Sequence, residues 1–244
     1  MPNLLSLGSS PAHSYACRVL EKQGFVIEKG PTAPIHGILM DVPTPPSMDT
    51  ERIHRNPDAA ASIPVFCGNV QYSLPSGFRC VDLLQDPEYL ARNADITARC
   101  AIRVACGSMN RTLLGLPVLV IGWGRIGKCL ARLLQALGAD CRVFARKAED
   151  RAMLTALGYR AVDREGMLRL MPSMELVINT APEPVLDEGQ ADLCPGMRMD
   201  LASKPGILGD NVIRARGLPG RIAPESSGEL IAQTVIRLWK EAHP

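Results

Sequence analysis

Gly122, Gly124 and Gly127, in the run VIGWGRIG (120–127), have the G-x-G-x-x-G spacing that lets a backbone turn close around a diphosphate. Gly122 allows the tight turn, Gly124 lets a pyrophosphate come against the backbone, and Gly127 lets the next helix lie close to the strand. Free N–H groups at the start of that helix then favour an anion. The spacing alone occurs in unrelated turns, so its flanks decide. Val118 to Ile121 form an apolar, β-branched run into the turn. After it Ile126, Cys129, Leu130, Leu133, Leu134 and Leu137 recur three and four apart, with Gly138 placed as a C-terminal cap. A strand, turn and helix for a dinucleotide are predicted, with Gly122, Trp123, Gly124, Arg125, Ile126 and Gly127 at its phosphates. NAD-selective sites carry an acid about 20 residues on, where it accepts hydrogen bonds from the ribose. Here that strand, CRVFARK (141–147), ends in Arg146 and Lys147, and no carboxylate lies between Asp140 and Glu149. Cations suit the additional 2′-phosphate, so NADP(H) is the expected cofactor and NAD(H) the less favoured one.

In open parallel sheets a ligand lies beyond the C-terminal ends of the strands. Residues leaving LVINTAP (176–182) and MRMDLAS (197–203) should therefore surround the reactive ring. Asn179, Thr180, Ala181 and Pro182 are assigned to the cofactor, and Ser203 and Lys204 to the chemistry. A lysine just past a strand is by itself more often a solvated loop charge than a functional cation.

These segments need a scaffold, and the remaining pattern supplies an α/β one with two Rossmann-like domains. NLLSLG (3–8), FVIEKG (25–30), HGILMDVP (36–43), VFCGNV (65–70) and RCVDLL (79–84) read as short strands, with a helix over 11–24. They suit a flavodoxin-like domain over 1–92. The proline-rich stretch 43–64 reads as a surface loop. A helix over 86–110, with Ala98, Ala101, Ile102 and Ala105 on one face, supplies a linker assigned to 93–112. The dinucleotide-binding domain with its parallel sheet then takes 113–244. It includes a final helix, where Ser226 and Glu229 have capping-box spacing.

Composition narrows the partners. With 27 basic and 25 acidic residues, mostly interspersed, and 4% aromatics, the chain has neither a polyanion-binding stripe nor a base-stacking platform, so nucleic acid is not expected. No apolar run reaches the ~18 residues of a membrane span and the start has no leader pattern, so a cytoplasmic location is expected. The 8 cysteines include no C-x-x-C pair and read as reduced packing residues; no metal site is assigned.

DLASKPG (200–206), LPGRIAPESSGELIA (218–232), VINTAP (177–182) and VIGWGRIGKCLARLLQALGA (120–139) together resemble the A subunit of bacterial dipicolinate synthases, strongly over 118–244 and more weakly before that. NADITARCAI (93–102) loosely resembles that family's linker. The resemblance implies a fold akin to D-2-hydroxyacid dehydrogenases and a nicotinamide-dependent step yielding pyridine-2,6-dicarboxylate from dihydrodipicolinate or its hydrated precursor. It also implies a partner, the flavoprotein-like B subunit, together with a homo-oligomer and the mother-cell cytoplasm of a spore former. A dicarboxylate needs cations: Lys204, Arg221 and Arg99 are the candidates, with Ser203 and Thr97 as hydrogen-bonding partners. Lys204 serves alternatively as a proton carrier.

Two departures stand out. ITARCA (96–101) has Arg99 and Cys100 where the family usually has an acid and a glycine, and the connection from Gly206 to Leu218 is short, lacking room for a helix. These leave a second reading open, a non-catalytic NADP(H)-binding protein. A third, a D-2-hydroxyacid dehydrogenase, needs a catalytic histidine. His13, His36, His54 and His243 all lie outside the expected catalytic loops.

Overall fold

The computed structural model describes residues 1–30, 34–46, 63–70, 74 and 76–243. Most of the expected loop 43–64, His54 included, lies outside them. The chain divides into two compact units, Met1–Asn93 with Pro219–Pro244, and Ala94–Leu218. Along the chain the described helices are α1 (Pro11–Lys22), α2 (Pro87–Ser108), α3 (Arg125–Ala136), α4 (Ala148–Ala156), α5 (Arg164–Leu170), α6 (Glu188–Asp192), α7 (Leu218–Ile222) and α8 (Pro224–Ala242). Among the described residues no helix is long and apolar enough to cross a membrane.

In the first unit the short apolar runs become parallel strands β1 (Asn3–Ser6), β2 (Val26–Glu28), β3 (Gly37–Leu39), β4 (Ile63–Cys67) and β5 (Phe78–Asp82), in the order β2-β1-β3-β4-β5. This is the flavodoxin-like order expected from the sequence. β1, β3 and β4 are buried along their whole length, which explains why they read as runs rather than as alternating patterns. Helix α1 starts with Pro11 behind the Ser10 cap, whose hydroxyl accepts from His13 N, and buries Ala12, His13, Ala16 and Leu20.

The final helix departs from the sequence reading in two ways. It belongs with the first unit, not with residues 113–218. Gly228 explains this: a Cβ there would lie 2.5 Å from both Ala12 O and Tyr15 Cβ, so α8 packs on α1 at backbone distance. Trp239 meets Phe25 edge-on at 5.8 Å, and Arg237 pairs with Asp86 at 2.7 Å, fastening the same helix further along. The Ser226–Glu229 capping box is also not used. The helix begins earlier, at Pro224 behind Ala223, which places Ser226 inside it, where an N-cap has no role.

In the second unit β6 (Pro117–Ile121), β7 (Asp140–Phe144), β8 (Arg160–Val162), β9 (Leu176–Asn179), β10 (Met197–Asp200) and β11 (Ile213–Arg214) form one sheet ordered β11-β10-β9-β6-β7-β8. All pairings are parallel. The strand order reverses between β6 and β9, the switch point where such folds bind ligands. Ile121 stands opposite Phe144 and Asn179, and Asn179 opposite Asp200, so four strands end level and four loops leave one edge together. Below them Leu119, Ile121, Met167, Met171, Val177 and Ile207 belong to one buried cluster. On α3 the buried stripe is Gly127, Leu130, Ala131 and Leu134; Leu137, expected on that face, is the C-cap and is 48% exposed. Gly138 follows with φ +76°, as a C-terminal cap residue should.

The loop after β10 is held by one buried carboxylate. Asp200 is 2% exposed. Its oxygens accept from Asn179 Nδ2 (2.8 Å), Ala202 N (3.1 Å), Gly206 N (2.7 Å), Ile207 N (3.1 Å) and Arg214 Nη1 (3.0 Å). Gly206 closes the same arrangement, because a Cβ there would sit 2.2 Å from Asn179 Nδ2. The 201–212 connection therefore needs no helix: Ile207 bridges directly to Leu186 and the chain turns back into β11.

Two of the buried polar groups, Asp200 and His13, should show in stability measurements. Asp200→Asn should strand backbone donors without an acceptor and lower the unfolding free energy by on the order of 3 kcal/mol, measured by urea denaturation. His13 is 3% exposed and contacts Ser6 Oγ through Nε2 at 2.7 Å. Burial pushes its pKa below the usual histidine value, outweighing the nearby Asp41 charge. The unfolded chain then takes up a proton near pH 6.5 that the folded chain refuses. Stability should be full above that pH and fall as pH drops, by about 1.4 kcal/mol per unit over which only the unfolded state is protonated. Denaturant curves between pH 7.5 and 5 should show this, and His13→Gln should flatten it.

Candidate dinucleotide site

The turn after β6 is built from close backbone approaches. Gly122 has φ +103°, and a Cβ on it would lie 2.7 Å from Thr180 Oγ1. At Gly127 a Cβ would meet Gly122 O at 2.1 Å, so only glycine lets α3 start this near the strand. Gly124 differs from both: a Cβ there would have nothing within 4 Å. The protein itself places no steric demand on that position, and the open space is where a diphosphate needs to approach. Lys128 N makes the helix bond back to Gly124 O, leaving the amides ahead of it without intrahelical acceptors.

Gly122 and Gly124 open onto a crevice of about 440 Å³ between the ends of β6, β7 and β9, within the range of small-molecule sites. Gly122, Trp123, Gly124, Arg146, Lys147, Thr180, Ala181 and Pro182, all assigned from the sequence, line it. Arg125 and Ile126 open α3 beside it, the first exposed and the second half-buried, and Gly127 is buried beneath the turn. Thr180 is fixed by its own bonds: its amide and hydroxyl both donate to Ile121 O, at 2.8 and 2.9 Å.

Asn179, expected at the cofactor, lies beneath the crevice. Its side chain is wholly buried, donating to Ala181 O (3.0 Å) and Asp200 Oδ1 (2.8 Å) and accepting from Ala181 N (3.1 Å). It shapes the loop that carries Thr180, Ala181 and Pro182 and is not itself among the residues that line the crevice.

The crevice rim carries residues that sequence reasoning missed. Glu183 and Asp150 line it, and Glu183 Oε2 accepts from Arg146 Nη1 at 2.9 Å. Arg151 Nη1 donates to Ala145 O (2.9 Å) and Arg146 O (2.7 Å), tying down the chain that carries Arg146. Lys147 pairs with Glu149 at 3.2 Å. The available signals were Glu183 standing between Pro182 and Pro184, and Glu149 and Asp150 in the first turn of α4, where acids favour the helix dipole. Trp123 meets Tyr159 edge-on at 5.5 Å, and Lys128 Nζ lies 5.6 Å over its ring.

The residues assigned to the substrate are less gathered. Ser203 and Lys204 are exposed on the loop that Asp200 holds. Thr97 is 7% exposed on α2, a poor position for a substrate contact. Arg99 pairs with Asp95 at 2.7 Å, and Asp95 also accepts from Arg132 at 3.2 Å, so Arg99 is committed within the unit. Arg221 is exposed and belongs to the first unit. Among the described residues the histidines, His13, His36 and His243, all fall in the first unit, and no His/Cys/Asp/Glu group could hold a metal.

No protein-family model matches the sequence. The chain is 29% identical over 173 residues to the dipicolinate synthase A subunit of Bacillus subtilis (strain 168), an alignment spanning 67% of this chain and 58% of that protein. Among solved structures, the dipicolinate synthase A subunit from Bacillus halodurans superposes with TM-score 0.80 at 21% identity, covering 97% of both chains. The NAD-complexed D-isomer-specific 2-hydroxyacid dehydrogenase of Lactobacillus delbrueckii ssp. bulgaricus gives 0.58 at 11% identity, covering 99% of this chain and 97% of that one. The resemblance and the fold class read from the sequence are both borne out: in sequence and fold this chain is similar to the A component of dipicolinate synthase, on an α/β architecture shared with dehydrogenases.

Proposed function

We propose that this chain is an NADP-dependent oxidoreductase that forms pyridine-2,6-dicarboxylate from dihydrodipicolinate or its hydrated precursor. The observation that carries the reading is the crevice at the β6/β9 switch point, open at Gly124 and rimmed by Arg146 where an NAD-selective site would carry an acid. The residues present fit a dinucleotide. The amides at the start of α3 and the Gly122–Gly127 turn would hold the diphosphate, and Arg146 with Lys147 the 2′-phosphate. When bound, NADP⁺ supplies the hydride acceptor.

The chain's own residues then have a modest task. A dihydropyridine that loses a hydride and a proton becomes aromatic, so the reaction already runs downhill and orientation is the main contribution asked of the protein. Lys204 and Ser203 would bind and orient a substrate carboxylate; their exposure on a loop anchored by Asp200 supports this. Arg221, the other cation expected from the sequence, belongs to the first unit. Thr97, buried, and Arg99, paired with Asp95, are weaker participants. The partner proposed is a flavoprotein-like B subunit, with this chain itself homo-oligomeric, in the mother-cell cytoplasm of a spore former.

Three outcomes test this reading. Formation of pyridine dicarboxylate, followed by its ultraviolet absorbance, should require NADP⁺ and proceed more slowly with NAD⁺; no product with either cofactor, with or without a B subunit, would leave a nucleotide-binding role only. Arg146→Ala should weaken NADPH about tenfold or more, the loss of a charge-assisted contact, while NADH binding stays unchanged in a fluorescence titration. Lys204→Ala should lower kcat/KM by about tenfold or more with NADPH affinity unaltered; normal turnover would remove Lys204 from the site.

A further inference from the structure

Arg146 and Glu183 come from opposite walls of the dinucleotide crevice, one after β7 and the other after β9, and meet at 2.9 Å. Both are exposed, and an ordinary exposed pair contributes little because two flexible side chains must be ordered to form it. Here both backbones are already held. Glu183 stands between Pro182, whose own φ is fixed, and Pro184, which restricts the backbone of Glu183 before it. Its loop is tied at one end by Ala181 N to Asn179 Oδ1 (3.1 Å) and at the other by Val185 N to Gly206 O (2.7 Å). Arg146 is steadied by Arg151 through the carbonyls of residues 145 and 146. The neighbouring charges are balanced: Lys147 is engaged by Glu149, and Asp150 adds a further carboxylate to the lining.

We propose that Glu183 is the specificity-setting counter-ion of this crevice, holding Arg146 when no 2′-phosphate is present and having to release it before one binds. The proposal rests on the NADP(H) reading above and deepens it. A 2′-phosphorylated adenine nucleotide must break the Arg146–Glu183 pair and bring its own negative charge beside a carboxylate; a nucleotide with a free 2′-hydroxyl does neither. Glu183 therefore works against the phosphorylated ligand and narrows the preference that Arg146 creates.

The test is calorimetric titration of 2′,5′-ADP and 5′-AMP into the wild-type chain, Glu183→Gln, Arg146→Gln and the double variant. Glu183 is exposed, so its replacement leaves the fold intact. Glu183→Gln should tighten 2′,5′-ADP roughly 2- to 5-fold, the scale of an exposed ion pair, with 5′-AMP unchanged. The gain should shrink at high salt and become smaller when Arg146 is also replaced, because only the direct repulsion by the carboxylate is then left. A gain of equal size in the Arg146→Gln background, or none in its presence, overturns the proposal. A wild-type preference for 2′,5′-ADP that Arg146→Gln abolishes and Glu183→Gln leaves untouched overturns it while the cofactor reading stands. No preference in the wild type, and none altered by Arg146→Gln, sinks both.

Discussion

The second unit depends on one contact that no residue with a side chain can make, the start of α3 lying against the carbonyl of Gly122. A Cβ at Gly127 would come within 2.1 Å of that oxygen. Because the contact is allowed, the helix leaves the strand immediately and its first amides sit at the mouth of the crevice. Gly122 itself can follow only in a left-handed conformation, with φ +103° and Thr180 close by. The turn thus couples β6 to the loop after β9, and the pocket exists because these two neighbours part at that point.

A second constraint is the buried carboxylate of Asp200. It draws in the amides of Ala202, Gly206 and Ile207, the side chain of Asn179 and the guanidinium of Arg214. An isolated buried charge would be costly, but surrounded by donors it becomes the fastening of an otherwise irregular connection. The short connection after β10, whose 206–218 part read from the sequence as the loss of a helix, is a loop that runs from 201 into β11 and is held in place by this group. Ser203 and Lys204 are carried outward on the same loop, so rigidity inside and exposure outside come from one arrangement.

Local signals were readable wherever the chemistry is local. The glycine spacing, the Val118–Ile121 run, the helical repeat on α3 and the strand ends at 179 and 200 all translate directly into the observed elements, because each depends on neighbours a few residues away. Tertiary facts were not. Asn179 sits at a strand end where a ligand contact is reasonable, and only its partners 2 and 21 residues along reveal that its amide is already spent. The assignment of α8 failed for a similar reason: chain order places it after the Rossmann unit, while Gly228 and Trp239 place it on α1 and Phe25. Glu183 carried no recognisable motif, and its relation to Arg146 across 37 residues exists only in the folded chain.

On the proposed reading the turn at Gly122 to Gly127 holds a diphosphate while Arg146 meets a phosphate on the adenine ribose. A crystal structure of the chain soaked with NADPH tests it most directly. The diphosphate should lie against the first amides of α3 and the 2′-phosphate within hydrogen-bond distance of the Arg146 guanidinium, with Glu183 released. An empty crevice, or a nucleotide bound with its 2′-phosphate far from residue 146, would contradict it.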